Sequence, residues 1–192
     1  ESSAASDVYK RQARDAVIFK DNDFEIFLDP DGDTHNYYEL EVNALETEWD
    51  LLLLKPYHDG QKVAVDSWDI PGLITKVHVD GTLNDPSDRD VGWSVEIAIP
   101  WKALEECAPN KIPLDGEQWK VNFSRVQWDV EIIKDGYVKT DTPEFNWVWS
   151  PQGLIYMHMP DLWGLVQFSH LPADGGNVVE FKKSKEDLVR LA

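Results

Sequence analysis

The sequence lacks the residues and motifs by which many enzymes are recognised. Its 192 residues include one cysteine, Cys107, so no disulfide can form within the chain. A chain of this length can bury a substantial core without such a bond. It contains no glycine-rich phosphate loop, no G-x-S-x-G elbow and no H-E-x-x-H motif, and its five histidines lack the spacing of zinc ligands. The sequence therefore predicts no nucleotide, serine-hydrolase or zinc-protease site.

Basic residues are also scarce. There are 18 Lys and Arg against 36 Asp and Glu, which gives a formal net charge of −18 at pH 7. Binding to a nucleic-acid backbone or an anionic membrane needs clustered Lys and Arg, so neither partner is expected. No apolar run approaches the roughly 18 residues of a membrane-spanning helix, so no membrane insertion is expected. The charge suits neutral ligands, cationic ligands or divalent metals, although it also fits a role in solubility alone.

Both ends of the sequence are expected to be unnatural. Ser2 to Gln12 reads SSAASDVYKRQ, which matches the translation of a transposase adapter used in DNA sequencing, residue for residue. Residues 1–12 are therefore expected to be an adapter-derived, disordered segment of a bacterial metagenomic fragment, with the true start and any signal peptide missing. Residues 172–192 are expected to form a linker and a truncated amphipathic helical tail. The domain itself is predicted to span residues 13–171.

Alternating apolar and polar residues predict strands in four clear segments, residues 24–28, 36–44, 91–100 and 118–128. Turn-forming residues separate these segments, and helix signals are few. Pro100 is suited to open a short helix. The pattern predicts an all-β protein, a two-sheet antiparallel β-sandwich with a short helix after one strand and a C-terminal helical tail.

One face of the predicted strands is rich in carboxylates and amides. If the strands are neighbours in one sheet, these side chains form a continuous polar surface suited to sugar hydroxyls. The pattern also fits an ordinary solvated sheet face. Two of the carboxylates could serve as the acid and base of a glycosidase, but nothing in the sequence singles out a pair. The residues at these alternate positions are Glu25, Glu39, Glu41, Asn43, Glu96, Asn122 and Ser124.

A dense acidic turn follows the first predicted strand. Asp29, Asp31 and Asp33 stand at alternate positions, and three carboxylates so spaced suit a structural calcium ion. The alternative is an ordinary turn in which Asp side chains and Gly32 shape the backbone. The loop at residues 84–88 has the same two interpretations.

Trp147 and Trp149 are the best candidates for an aromatic sugar platform among the nine Trp residues. They lie two apart, on one face of a predicted strand next to a loop. Burial in the core is the alternative role for both rings.

Four segments resemble the family 9 carbohydrate-binding modules, in particular their bacterial relatives within the wider DOMON-like β-sandwich group. They are residues 21–33 (DNDFEIFLDPDGD), 37–45 (YYELEVNAL), 92–104 (GWSVEIAIPWKAL) and 119–128 (WKVNFSRVQW). The resemblance extends from about Ala13 to Ser169. It implies a two-sheet antiparallel sandwich, often with bound calcium, that clamps a sugar ring between two aromatic residues over a polar floor.

The resemblance also implies site residues. The first clamp aromatic falls on Phe19, where the family has Trp, and the second falls near Met157, beside Tyr156. An arginine that the family uses on the floor falls on Glu41. The predicted ligand-binding residues are Phe19, Glu25, Glu41, Asn43, Glu96, Asn122, Trp149 and Tyr156, and the predicted metal ligands are Asp29, Asp31 and Asp33.

The expected function is that of a non-catalytic module that binds a mono- or oligosaccharide during glycan breakdown. The expected location is extracellular or periplasmic. One alternative is a glycoside hydrolase domain with paired carboxylates. Another is a haem-binding domain, for which Met157, His158 and Met159 supply ligand types. A last alternative is a scaffold domain whose sugar site has decayed.

Overall fold

The computed structural model describes residues 13–134 and 136–171. The expected adapter segment at residues 1–12 and the expected linker and helical tail at residues 172–192 lie outside the described residues. Within the described ranges, no helix is long and apolar enough to cross a membrane.

The described residues form eleven strands and four short 3-10 helices. The strands are β1 (Asp23–Asp29), β2 (Tyr37–Asn43), β3 (Glu48–Leu53), β4 (Ala64–Val65), β5 (Ile74–Asp80), β6 (Gly92–Ala98), β7 (Gln118–Gln127), β8 (Val130–Ile133), β9 (Gly136–Lys139), β10 (Phe145–Val148) and β11 (Gly164–Gln167). The 3-10 helices are Ile18–Lys20, Tyr57–Asp59, Trp101–Leu104 and Pro160–Leu162. The short helix expected after Pro100 is therefore present as the third of these.

One antiparallel sheet dominates the fold. Its strand order is β10-β7-β1-β2-β3-β4, and β11 also pairs with β7. Because β7 is 10 residues long, its first part pairs with β11 and its last part with β10. β5 and β6 form a separate hairpin, as do β8 and β9. The expected all-β antiparallel, sandwich-like fold is confirmed, with the difference that the second layer is a hairpin rather than a broad sheet.

The main core lies between the large sheet and the β5–β6 hairpin. Leu40 and Val42 of β2 are fully buried at its centre. Burying a large apolar side chain contributes about 1.5–3 kcal/mol to the free energy of unfolding. The same strands carry the residues of the opposite face, so this core also holds that face in place. The side chains that pack against Leu40 and Val42 include Ile70, Val77, Val95, Ile97 and Ala103.

The other face of the large sheet carries a second hydrophobic cluster. Its centre is Phe27 of β1, Tyr37 of β2 and Trp163, with 5.4 Å between the ring centroids of Phe27 and Trp163. Leu51 and Leu53 of β3 belong to the same cluster. The chain around residues 157–163 therefore folds back over part of this face. Strand alternation alone is compatible with a fully solvated face, but here part of the face is covered.

Candidate functional site

An open pocket of about 370 Å³ lies on this second face, beside the hydrophobic cluster. Acidic side chains from β1 and β2 line it, namely Glu25, Glu39 and Glu41. Aromatic side chains from four other parts of the chain line it too, namely Phe19, Trp49, Tyr57 and Tyr156. The pocket therefore combines a polar base with apolar side walls.

Strand register explains why the acidic side chains meet. In the antiparallel pair of β1 and β2, Glu25 is directly opposite Glu41, and Phe27 is opposite Glu39. Alternate residues of a strand share a face, and directly opposed residues have Cβ atoms about 4.5–5.5 Å apart. Asp23 precedes Glu25 by two residues and joins the same face. We call Asp23, Glu25, Glu39 and Glu41 the acidic floor.

Burial dominates the electrostatics of the acidic floor. It raises the pKa of Glu25 to about 7. It also raises the pKa values of Asp23, Glu39 and Glu41 well above their usual range, and repulsion from neighbouring carboxylates adds to each of these three shifts.

Among the described residues, no cationic side chain offsets the acidic floor. His158 Nε2 lies 3.9 Å from Glu39 Oε1, but burial lowers the pKa of His158 to about 3, so the ring is neutral at physiological pH. Within residues 13–134 and 136–171, the ion pairs of Lys and Arg go to other carboxylates. Any charge that the floor carries when it ionises is therefore not offset by a Lys, Arg or protonated His side chain among the described residues.

Hydrogen bonds satisfy only part of the acidic floor. We call the aromatic lining residues Phe19, Trp49, Tyr57 and Tyr156 the aromatic rim. Glu41 Oε2 accepts the backbone N–H of Phe19 at 2.9 Å, which connects this rim to the floor. Both oxygens of Asp23, together with Glu25 Oε2 and Glu39 Oε2, are buried without a hydrogen-bond partner of standard geometry. Because buried polar groups normally have partners, the floor has capacity for a ligand.

The aromatic rim is held by ring contacts. Phe19 stacks with Trp49, with ring centroids 6.2 Å apart and an interplanar angle of 21°. Tyr57 and Tyr156 both meet the edge of His158, at 4.5 Å and 6.0 Å between centroids. The hydroxyl of Tyr37 and Nδ1 of His158 are hydrogen-bonded at 2.9 Å, which fixes the imidazole from below the rim. The walls are therefore ordered by packing before any ligand arrives.

The structure brings four of the predicted ligand-binding residues together in this pocket. Glu25 and Glu41 lie at its base, while Phe19 and Tyr156 lie in its walls. Their role in binding stays a prediction, which the next subsection develops.

Asn43 and Asn122 lie on the same face but have structural roles. Asn43 Oδ1 accepts the backbone N–H groups of Leu45 and Thr47, at 2.9 and 3.0 Å, and so shapes the β2–β3 turn. Asn122 Oδ1 accepts the N–H of Ser150 at 2.9 Å, and its Nδ2 donates to the Ser150 carbonyl at 3.2 Å. Both side chains are fully buried and lie outside the pocket lining, so their predicted role in ligand binding stays a prediction beside these structural contacts.

Asn43→Ala and Asn122→Ala should therefore act on folding rather than on binding. Each leaves buried backbone groups unpaired, so we expect the free energy of unfolding to fall by about 1–3 kcal/mol. Chemical denaturation measures this loss, and ligand titration of the folded variants should give affinities within about twofold of the parent. A weaker affinity at unchanged stability would contradict this prediction and indicate that the two amides contact the ligand.

Glu96 and Trp149 are also placed away from the pocket. Glu96 lies on β6, which pairs with β5 and not with the large sheet, and its exposed side chain points away from the core on the opposite side of the molecule. Trp149 packs on Phe123 at 5.7 Å between centroids and lies over Gly164, where a Cβ atom would come within 2.4 Å of the ring. The structure places both side chains outside the pocket, and their role in ligand binding stays a prediction.

Sequence analysis missed several pocket residues. Glu39 was recognised on the polar face but not selected as a ligand-binding residue. Trp49 faces Glu41 across the β2–β3 pair, so the alternation of Trp49, Leu51 and Leu53 was an available signal. Tyr57 and His158 come from segments without strand periodicity, and the sequence gives no indication of their direction.

The acidic turn after β1 has the geometry of a self-contained turn. Asp29 accepts the backbone N–H groups of Gly32 and Thr34, at 3.0 and 2.9 Å. Asp31 accepts the N–H of Asp33, and Asp33 accepts the N–H of His35. Carboxylate oxygens of Asp29, Asp31 and Asp33 lie within 4.8 Å of one another, so the predicted calcium site stays open as a prediction beside the turn role.

The comparisons with known proteins support the fold. No family model matches the chain, and no curated protein matches it. A crystal structure of a "putative carbohydrate-binding protein" from Bacteroides uniformis is similar, with a TM-score of 0.54 and 18% sequence identity. The similarity covers 87% of this chain and 68% of that chain. At this identity the two proteins share a fold, and the resemblance to family 9 carbohydrate-binding modules stays a prediction.

Proposed function

We propose that the pocket binds a neutral mono- or short oligosaccharide without cleaving it. The observation that carries the proposal is the union of an acidic floor and an aromatic rim in one open pocket. Its volume of about 370 Å³ lies within the range of roughly 300–1,000 Å³ that is typical of small-molecule sites. The description of the Bacteroides uniformis protein that shares the fold supports the same function.

Polar groups at the base of the pocket suit sugar hydroxyls. Carboxylate oxygens accept hydrogen bonds from them, often two at a time. Hydroxyl donors would supply the partners that Glu25 Oε2 and Glu39 Oε2 lack. The amide of Asn146, which also lines the pocket, can donate to a hydroxyl oxygen as well as accept from one.

The aromatic rim suits the apolar C–H face of a pyranose. Trp49 and Phe19 offer a stacked pair of rings on one wall, and Tyr57 and Tyr156 add two more. Aromatic side chains give a large apolar contact at a low cost in conformational entropy. The rim would therefore supply most of the binding free energy, while hydrogen bonds from the floor would set the orientation of the sugar.

The charge of the floor restricts the class of sugar. Where the floor is ionised and holds no cation, its carboxylates repel anions, so uronic acids and sulfated sugars should bind poorly under those conditions. In the parent protein, we propose that such a module holds a glycan-degrading system close to its polysaccharide, outside the cytoplasm.

Hydrolysis is the second candidate function because two carboxylates lie close together. Oxygens of Glu25 and Glu41 approach within 4.8 Å, whereas the two carboxyl groups of a retaining glycosidase are about 5–5.5 Å apart. However, both side chains are nearly fully buried in the floor, and Glu41 is held by the N–H of Phe19. This arrangement favours holding a sugar over flanking its scissile bond.

A haem site has less support. Met157 and His158 are neighbours in one wall of the pocket, so they do not oppose each other across a porphyrin ring. His158 Nδ1 is also already bonded to the Tyr37 hydroxyl.

A glycan array followed by calorimetric titration of the full chain tests the proposal. We expect binding of neutral saccharides. In chelator and at a pH high enough to ionise the floor, uronic acid counterparts should bind at least about tenfold more weakly, which corresponds to about 1.4 kcal/mol. We expect no release of nitrophenol from aryl glycosides. The proposal fails if no neutral glycan binds. Turnover of an aryl glycoside would favour the hydrolase instead.

A further inference from the structure

The base of the pocket contains a cluster of three carboxylates with unusual geometry. Asp23, Glu25 and Glu41 each have a carboxylate oxygen within 4.8 Å of the other two. Their exposed fractions are 0%, 4% and 2%, so all three belong to the protein interior. Asp23 lies beside the other two on the same sheet face, outside the pocket lining, while Glu25 and Glu41 line the open space.

Among the described residues, protein groups compensate this cluster only in part. Looser contacts join Asp23 to Glu41 and to the backbone of Val126, and Glu25 to Ser124. Both oxygens of Asp23 and Oε2 of Glu25 nevertheless have no hydrogen-bond partner of standard geometry. Glu41 Oε2 accepts the backbone N–H of Phe19. Within the part of the chain that the structure describes, no Lys or Arg forms an ion pair with any of the three. A bound cation would compensate the charge of this cluster, which otherwise has to be neutralised by protonation.

The two other acidic groups of similar spacing differ from this cluster. In the turn after β1, Asp29, Asp31 and Asp33 already accept backbone N–H groups. In the group of Asp15, Asp50 and Asp69, the guanidinium of Arg14 supplies the positive charge. Only the cluster in the floor combines near-complete burial of all its members with orphaned oxygens among the described residues.

We infer that Asp23, Glu25 and Glu41 bind a divalent metal ion of the calcium class at the base of the pocket. The donor set consists of oxygen alone, which suits a hard cation and does not suit zinc or copper. Calcium takes six to eight oxygen ligands in flexible geometry. Three carboxylates supply part of that shell from below, and the remaining positions face the pocket.

The position of the ion gives it a second role, which rests on the proposed function. The open coordination positions point to where the saccharide lies, so two sugar hydroxyls can replace water on the ion. The ion also cancels the repulsion between Glu25 and Glu41, which are directly opposite in the sheet. Sugar affinity should therefore depend on calcium.

Terbium luminescence and calorimetry on the chelator-treated full chain test the site. Trp49 lines the same pocket and should sensitise bound terbium, which calcium then displaces. We expect calcium affinity to fall at least tenfold in Glu25→Gln and Asp23→Asn. Glu131→Gln, at an exposed position of β8 outside the acidic groups, should keep it. Absence of calcium and terbium binding, or equal affinities in Glu25→Gln and Glu131→Gln, overturns the inference.

Thermal unfolding supplies a second readout that does not depend on sugar. In chelator, Glu25→Gln should melt at or above the temperature of the parent, because the change removes one uncompensated charge. In excess calcium the order should reverse, because only the parent gains the full stabilisation of a ligand bound to the native state. The same order in both conditions would contradict the inference.

Sugar titrations in calcium and in chelator separate the two proposals. If the protein binds calcium but no saccharide, the proposed function is wrong and the metal site is supported. If the protein does not bind calcium and binds the saccharide equally in both conditions, the metal site is wrong and the proposed function is supported.

Discussion

Trp49→Ala should weaken saccharide binding by about thirtyfold while the protein stays folded. Trp49 stacks with Phe19 and lies opposite Glu41, so it is the aromatic side chain that joins rim and floor. Truncating an aromatic anchor at the centre of a binding site costs about 2 kcal/mol or more, and about 1.4 kcal/mol corresponds to a tenfold change in affinity. Calorimetric titration with the best ligand from the glycan array measures the loss.

Trp149→Ala is the matched control for this prediction. Trp149 is 53% exposed and lies on the side of the large sheet away from the pocket, over Phe123 and Gly164. Its removal should leave affinity within about twofold of the parent. If Trp149→Ala abolished binding and Trp49→Ala did not, the ligand would lie on the other face, and the pocket would lose its proposed role.

Phe27→Ala should lower the free energy of unfolding by about 3–5 kcal/mol. The ring is 0% exposed and touches both Trp163 and His158, at 5.4 and 5.6 Å between centroids. Its loss leaves a cavity beneath the wall of the pocket. Because His158 and Tyr156 pack on that wall, the variant should also bind the saccharide less tightly at temperatures where it stays folded.

Phe145→Ala provides the comparison for stability. Phe145 belongs to β10 of the same sheet but is 47% exposed, so its truncation should change the free energy of unfolding by less than about 1 kcal/mol. Denaturant titration of both variants measures the difference. Similar losses for the two would mean that the cluster around Phe27 does not support the second face.

Strand periodicity was sufficient to predict much of the fold. In β2, Tyr38, Leu40 and Val42 face the main core while Glu39 and Glu41 face the other way, as the alternation indicates. Sequence analysis supposed that the strands with polar faces are neighbours in one sheet. This holds for β1, β2 and β7, since β1 pairs with both β2 and β7. The convergence of the acidic floor follows from these two facts.

Periodicity does not say which strands share a sheet. Glu96 has the right phase against Val95 and Ile97, yet its strand belongs to the second layer. Side-chain direction relative to a core is a local property, whereas adjacency depends on long-range pairing. This is why Glu96 was grouped with residues on the far side of the molecule.

Residue type alone also does not reveal whether a polar side chain is already satisfied. Asn43 and Asn122 have the correct phase for the polar face, but their amides complete the hydrogen bonding of the turn at Thr47 and of the backbone at Ser150. Aromatic side chains in irregular segments pose the opposite problem. Tyr57 reaches the pocket because of how the chain folds back after β3, and no local pattern encodes that path.

A crystal structure of the full chain with a saccharide from the array tests the central claim most directly. The account predicts electron density for a sugar ring against Trp49 and Phe19, with hydroxyls within hydrogen-bond distance of Glu25, Glu39 or Glu41. Density for the sugar over Trp147 and Trp149, or on the outer surface of the β5–β6 hairpin near Glu96, would contradict it.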